Sequence, residues 1–148
     1  MDKWRHLLID GEFAERKRIL EGLTLDQATR RPSAHSHTIY EELWHATRWQ
    51  KIIVMRDEQL YAEWARGQTF PAGPPATEEE WTALVDEFLD GLERALDWTA
   101  PEKVKLEIDP GVTMGDALHS LAVHNSYHLG KIVALRQAIG AWPLEAQS

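Results

Sequence analysis

The sequence contains no cysteine among its 148 residues. This absence excludes a disulfide scaffold, a zinc site with thiolate ligands and a catalytic cysteine. An apolar run of the roughly 18 residues that a transmembrane helix needs is also absent, so we expect no membrane span. The first residues, MDKWRHLLIDGEF, lack the apolar core of a secretory signal, and we therefore expect a cytoplasmic protein.

Basic residues are scarce relative to acidic ones. The chain has 16 Lys and Arg against 24 Asp and Glu, which gives a formal net charge of −8. Nucleic-acid binding draws its affinity from clustered Lys and Arg, and anionic membranes attract the same residues. We therefore expect neither a nucleic-acid partner nor a membrane partner.

The length predicts one domain that covers residues 1–148. The chain has no internal repeat and no low-complexity tail. The segment richest in Gly and Pro, residues 67–76 (GQTFPAGPPA), is too short to join two domains of this size. It is typical of a loop within one domain.

Helix start and stop signals divide the chain into four long segments. A Thr followed three residues later by an acid or amide favours a helix start, because the two side chains can cap each other's backbone N–H groups. This pattern occurs at Thr24/Gln27, Thr38/Glu41, Thr77/Glu80 and Thr113/Asp116, and helix-ending glycines occur at Gly22, Gly67 and Gly140. These signals predict helices over 2–21, 39–66, 78–98 and 114–139.

The predicted fold class is therefore all-α, and the simplest architecture is a four-helix bundle. The third helix has the clearest apolar stripe, at Trp81, Leu84, Val85, Phe88, Leu92 and Leu96. Between the third and fourth helices, residues 103–108 alternate weakly, which is typical of a short strand or an extended linker.

Two of the seven histidines, His124 and His128, occupy consecutive turns of an otherwise aliphatic row in the last helix. Residues four apart share a helix face, so both imidazoles can bind one ion. Burying them side by side without partners would be costly, and a metal ion would satisfy one nitrogen of each. Two alternatives remain: a surface pair, or a core pair satisfied by backbone carbonyls or water.

His45 lies on the second predicted helix, and the residues one and two turns after it, Trp49 and Ile52, are apolar. Alone it is typical of a core histidine, but opposite His124 and His128 it would complete three imidazoles, the open arrangement of a catalytic zinc site. Nickel, iron and copper also accept imidazole. Glu41 or Glu42 could accept a hydrogen bond from the outer nitrogen of His45 and fix its tautomer. Trp49 is equally typical of a pocket wall and of core packing.

The other four histidines fit a metal site less well. We expect His6 and His119 on the surface and His35 and His37 in a loop before the second helix, although His37 could line the mouth of a pocket.

Two segments, HTIYEELWHATRWQ around His45 and HNSYHLGKI around His124 and His128, resemble the DinB-like (YfiT-like) metalloenzyme superfamily. The resemblance covers essentially the whole chain. It implies a four-helix bundle, a homodimer, and a divalent ion held by His45, His124 and His128. Zinc or nickel is favoured, with iron or manganese as alternatives.

Characterised members of that superfamily include S-transferases that use bacillithiol or mycothiol, and mycothiol-dependent maleylpyruvate isomerases. The resemblance therefore implies a low-molecular-weight thiol co-substrate that the metal holds as a thiolate. Where members commonly have Arg-Gly-Gln after the last histidine, this chain has Leu129, Gly130 and Lys131. A related domain of sulfoxide synthases carries a Glu where this chain has Gly130, which disfavours non-haem iron sulfoxide chemistry.

Three hypotheses follow for the function. The first is a metal-dependent enzyme, a thiol S-transferase or hydrolase, with Trp49 and Tyr127 shaping a pocket for a small-molecule substrate; no residue is assigned a catalytic role. The second is a bundle that binds a metal or small ligand without turning it over, because no obvious general acid or base accompanies the histidines. The third is a structural bundle with core histidines.

Overall fold

The computed structural model describes residues 1–144, and these residues are mostly helical. The all-α prediction is therefore confirmed at the level of fold class. The elements in chain order are α1 (Lys3–Arg5), a π-helical turn (His6–Asp10), α2 (Arg16–Leu20), α3 (Leu25–Thr29), α4 (Ile39–Met55), α5 (Glu58–Ala65), α6 (Glu78–Asp97), α7 (Pro101–Val104), β1 (Glu107–Asp109), β2 (Val112–Thr113) and α8 (Met114–Ala138).

Helix α4 is the central element, because it packs against both α6 and α8. Leu43 of α4, Phe88 of α6 and Leu121 of α8 are completely buried in the core between these helices. The apolar stripe predicted on the third helix is largely confirmed: Trp81 and Leu92 are also buried, and the stripe faces the same core. Apolar burial is the main favourable term that holds the three long helices together.

The first predicted helix, residues 2–21, is wrong as a continuous element, because residues 11–15 are not helical. The chain instead turns sharply, and Glu12 has a φ of 67°. The buried guanidinium of Arg16 explains the turn. It donates to the carbonyl of Leu7 at 2.9 Å and to that of Gly11 at 2.9 Å. These bonds satisfy carbonyls that a continuous helix would have paired within itself.

The second predicted helix, residues 39–66, divides into α4 and α5. Arg56 ends α4 in the left-handed conformation, with a φ of 53°. The carboxylate of Asp57 then accepts the backbone N–H of Leu60 at 3.0 Å and caps α5. The chain therefore changes direction between the two helices, and α5 does not continue α4.

The predicted caps are confirmed in most of their detail. Thr24, Thr38 and Thr113 each form both hydrogen bonds of a capping box with the residue three positions later. The threonine side chain accepts from the backbone N–H of that residue, whose side chain accepts from the backbone N–H of the threonine. Thr77 accepts the N–H of Glu80, but the Glu80 carboxylate accepts from the backbone of Ala76 instead. The three helix-ending glycines, Gly22, Gly67 and Gly140, all have positive φ, as helix termination in the left-handed conformation requires.

The segment between the third and fourth helices is extended only in its second half. Residues 101–104 form α7, and β1 then pairs with β2 in a two-stranded antiparallel hairpin that leads into α8. Within residues 1–144, no helix combines the length and the apolar character needed to cross a membrane.

Arg136 ties the end of α8 to the end of α2, and it gives the first testable prediction. Its buried guanidinium donates to the carbonyls of Ile19 at 2.7 Å and Glu21 at 2.9 Å. We expect Arg136→Leu to lower the free energy of unfolding by about 2–4 kcal/mol, because it leaves these carbonyls without donors. Urea denaturation measures the change. Arg94→Leu on the exposed face of α6 is the matched control, and equal losses in the two variants would contradict the prediction.

Candidate functional site

Three histidines from α4 and α8 meet at the interface between these helices. The ring centroids of His45 and His128 are 4.4 Å apart, those of His124 and His128 are 4.5 Å apart, and those of His45 and His124 are 5.1 Å apart. Each ring offers one nitrogen, and the three nitrogens all lie within 4.8 Å of one another. The structure thus brings together the three residues that the sequence analysis nominated as metal ligands.

His45 is oriented by the loop that follows α5. Its Nδ1 lies 2.7 Å from the backbone oxygen of Thr69. A carbonyl oxygen can only accept, so Nδ1 carries the hydrogen and donates it. In the neutral ring, Nε2 is then left with a free lone pair. Phe70 stacks on the same imidazole, with centroids 4.6 Å apart and planes inclined by 22°, and this contact fixes the plane of the ring.

His128 is oriented by a buried carboxylate. Its Nδ1 donates to Glu42 Oε2 at 2.6 Å, and both side chains are almost completely buried. Burial raises the pKa of Glu42, but the hydrogen bonds from His128 and His37 and the charge of Lys131 outweigh it and lower the pKa to about 2. The carboxylate is therefore ionised, and Nε2 of a neutral His128 is free to act as a ligand.

His124 has a buried ring nitrogen without a partner. Its Nδ1 makes no hydrogen bond within the part of the chain that the structure describes. Burial, together with the neighbouring His128 and His45, lowers the pKa of His124 to about 4. Burial also lowers the pKa of His45. Both rings are therefore neutral at neutral pH, which is the form that ligates a metal ion.

The expectation that Glu41 or Glu42 would orient His45 is wrong, because Thr69 does so. Glu42 contacts His128 instead. Glu41 has a structural role: its carboxylate accepts the Thr38 N–H at 2.9 Å, which caps α4, and it lies 2.9 Å from the Arg31 guanidinium.

His37, in the loop before α4, lies beside the carboxylate that orients His128. Its Nδ1 lies 2.9 Å from Glu42 Oε1, and its ring packs on Phe70 with centroids 4.2 Å apart. It thus holds the second oxygen of the carboxylate whose first oxygen accepts from His128. The expectation that His37 lies in the loop before the second predicted helix is confirmed, and its side chain is half-buried there.

The remaining histidines lie outside the cluster, as expected. His6 is half-buried and contacts Glu12 at 2.7 Å, and His35 is exposed in the loop before α4. His119 is exposed on α8 and stacks on Trp4, with centroids 4.6 Å apart.

An open depression of about 760 Å³ adjoins the cluster on the His124 side. Trp49 and Tyr127, both nominated from the sequence, are among its lining residues. Trp64 of α5 also lines it, and packs on Trp49 with centroids 5.3 Å apart. The sequence analysis did not nominate Trp64 for the site. The break at Arg56, which turns α5 toward the cluster, is the feature that brings Trp64 there.

A family model for the DinB superfamily matches residues 13–132, a span that includes all three clustered histidines. No curated protein and no solved structure matches the chain.

The buried Glu42 carboxylate predicts a specific loss of stability in acid. In the unfolded chain Glu42 has its ordinary pKa of 4.5, whereas in the fold its pKa is about 2. A depressed pKa stabilises the fold above the unfolded value, and this contribution is lost as pH falls from about 4.5 toward 2. We expect Glu42→Gln to remove this part of the pH dependence of the free energy of unfolding, measured by urea denaturation at a series of pH values.

Glu93→Gln, which changes an exposed carboxylate on α6, is the control for this measurement. Its pH dependence should follow that of the unmodified protein. Curves for Glu42→Gln and the unmodified protein that remain parallel over this range would contradict the ionised, hydrogen-bonded state of Glu42.

Proposed function

The chain belongs to the DinB superfamily, and we propose that it is a metal-dependent enzyme in which His45, His124 and His128 hold one divalent ion. The observation that carries this proposal is the polarity of the hydrogen bonds around the cluster. His45 and His128 donate their Nδ1 hydrogens outward, to Thr69 and Glu42 respectively. The acceptor nitrogens of these two rings are therefore turned toward His124. Lone pairs that converge in this way require a cation or a hydrogen-bond donor between them.

The donor set fits a zinc or nickel ion best. Imidazole suits both metals, and three protein ligands leave a fourth position open for water or substrate. Iron and manganese remain alternatives. The unpartnered Nδ1 of His124 supports the same conclusion, because a buried polar atom without a partner costs free energy that a bound ion or water would offset.

When bound, the ion would lower the pKa of a water molecule or a low-molecular-weight thiol at its open position. The residues of the chain position the ligands: Glu42 holds His128, and Thr69 and Phe70 hold His45. The chain has no cysteine, so any thiol in the reaction comes from a co-substrate. S-transfer to an electrophilic small molecule and hydrolysis are the two reaction classes that this arrangement supports.

We propose the four-helix bundle as the architecture that holds this site. Helices α4, α6 and α8 supply three of its members, and the interrupted segment from the π-helical turn to α2 supplies the fourth. This segment contacts both α6 and α8, which supports the assignment. The homodimer rests on the family resemblance, and size-exclusion chromatography tests it.

A second candidate function is a bundle that binds a metal or small ligand without catalysis. The observation that favours it is the engagement of Glu42. Its Oε2 accepts from His128, and its Oε1 lies 2.9 Å from His37 and 3.6 Å from the Lys131 ammonium. With its pKa near 2, this carboxylate is a poor base at neutral pH, so it is not free to take up a proton from substrate.

Metal content tests the shared part of both proposals. We expect protein purified after expression with ample zinc or nickel to carry close to one ion per chain, measured by elemental analysis. His128→Ala should remove the ion and the rise in melting temperature that added metal causes, because this rise depends on the ratio of metal concentration to dissociation constant.

His35→Ala is the matched control, since it removes an exposed histidine outside the cluster. This variant should keep both the ion and the thermal shift. A core role alone for the histidines would be indicated if the unmodified protein carried no ion and His128→Ala merely lowered stability by a few kcal/mol, as a core truncation does.

Turnover separates the enzyme from the binding bundle. We expect the metal-loaded protein to accelerate either the reaction of a low-molecular-weight thiol with an electrophile or the hydrolysis of an activated ester, followed by product formation over time. Removal of the metal should abolish the acceleration, and its return should restore it. Stoichiometric metal binding without turnover in such a screen would favour the binding bundle.

A further inference from the structure

The open depression beside the cluster differs in chemistry from the cluster itself. Its walls come from Trp49 of α4, Trp64 of α5, and Val123 and Tyr127 of α8. Val123 is 72% exposed and Tyr127 is 61% exposed, although both are large apolar or aromatic side chains. Exposed apolar groups of this size, gathered around a concavity, mark a binding surface more often than chance exposure does.

His124 joins the depression to the cluster. It lines the depression, and its ring centroid lies 6.1 Å from that of Trp49 and 6.4 Å from that of Trp64. On its other side it meets His128, with centroids 4.5 Å apart. A molecule seated against the two tryptophans would therefore have one end close to the three imidazoles.

Formal charge is missing from this surface. Among residues 1–144, those that line the depression include no Asp, Glu, Lys or Arg. Its polar groups belong to His119, Ser120, His124, the Tyr127 hydroxyl and the two indole N–H groups. Lys131 lies over the Tyr127 ring at 4.7 Å, but its ammonium is 3.6 Å from Glu42 Oε1. Its charge is thus paired with a carboxylate rather than offered to a ligand.

We infer that this depression binds the uncharged aromatic or apolar body of a small-molecule substrate and directs its polar end toward His124 and the cluster. Flat rings suit the paired tryptophans, because offset stacking adds to the free energy of apolar burial. A carboxylate or phosphate against these walls would lose hydration without gaining a charged side chain. The inference rests on the proposed function, since it names the substrate class of the same site.

A matched pair of probes tests the inference. At neutral pH 2-naphthol is uncharged and 2-naphthoate is an anion, while the two share the same ring system. We expect isothermal titration calorimetry to show 2-naphthol binding at least about tenfold more tightly than 2-naphthoate in the metal-free protein, where no cation beside the depression can attract the carboxylate. Equal affinities, or no binding of either probe, would overturn the inference.

Val123→Lys locates the binding within the depression. An ammonium at this exposed wall should weaken 2-naphthol binding and strengthen 2-naphthoate binding, so that the ratio of affinities falls several-fold. Val112→Lys is the matched control, because it makes the same change at an exposed valine on β2, outside the depression. The inference is wrong if the two variants change the ratio equally. It is also wrong if Val123→Lys alters the oligomeric state but leaves 2-naphthol binding unchanged, since the face would then be an interface between copies.

Measuring the preference in the metal-free protein and zinc binding in a separate titration keeps this inference distinct from the proposed function. Stoichiometric zinc binding together with no preference for 2-naphthol in the metal-free protein overturns the substrate class alone. A preference for 2-naphthol in a protein that binds no zinc supports the depression as a binding site and overturns the metal centre alone.

Discussion

The hydrogen bond between His128 and Glu42 is the interaction on which the rest of the site depends. It joins α8 to α4 at 2.6 Å, between two side chains that are 6% and 3% exposed. A buried carboxylate without partners would be unstable in the core. The surrounding structure therefore has to supply donors, and it does so from His128, from His37 and from the nearby Lys131 ammonium. The bond holds the face of α8 that carries His128, and with it His124 one turn earlier, against α4.

Local signals made much of the fold predictable. The caps at Thr24, Thr38 and Thr113 depend on residues three positions apart, so sequence alone contains all the information they need. The interruption at residues 11–15 was missed because it depends on the buried Arg16, whose hydrogen bonds form only once the chain has turned. A periodic pattern cannot reveal a charged side chain that satisfies distant carbonyls. The break at Arg56 has only a weak signal, the capping Asp57 that follows it.

The candidate site was predictable to a similar, partial extent. His124 and His128 were found because their spacing places both on one face of a helix, and His45 because the family resemblance supports its position. The partners of these rings were not found. Thr69 contributes a backbone oxygen, which any residue would carry, and Glu42 meets a histidine 86 positions away. Neither contact can be predicted from the residues that lie close to it in the sequence.

The arrangement of these partners gives the cluster two unlike sides. His45 and His128 are held from outside by acceptors, which fix their tautomers and immobilise both rings. His124 makes no hydrogen bond at its buried Nδ1 within residues 1–144, and its ring borders the aromatic depression. On the polar side of the cluster, the ring nitrogens are therefore already hydrogen-bonded to Glu42 and to the Thr69 carbonyl. The open depression lies on the apolar side, so a substrate of the proposed enzyme would reach the imidazoles past Trp49 and Trp64. The walls of the depression would then disfavour charged groups, whereas the cluster beside them offers three nitrogens within 4.8 Å of one another, a donor set that suits a cation.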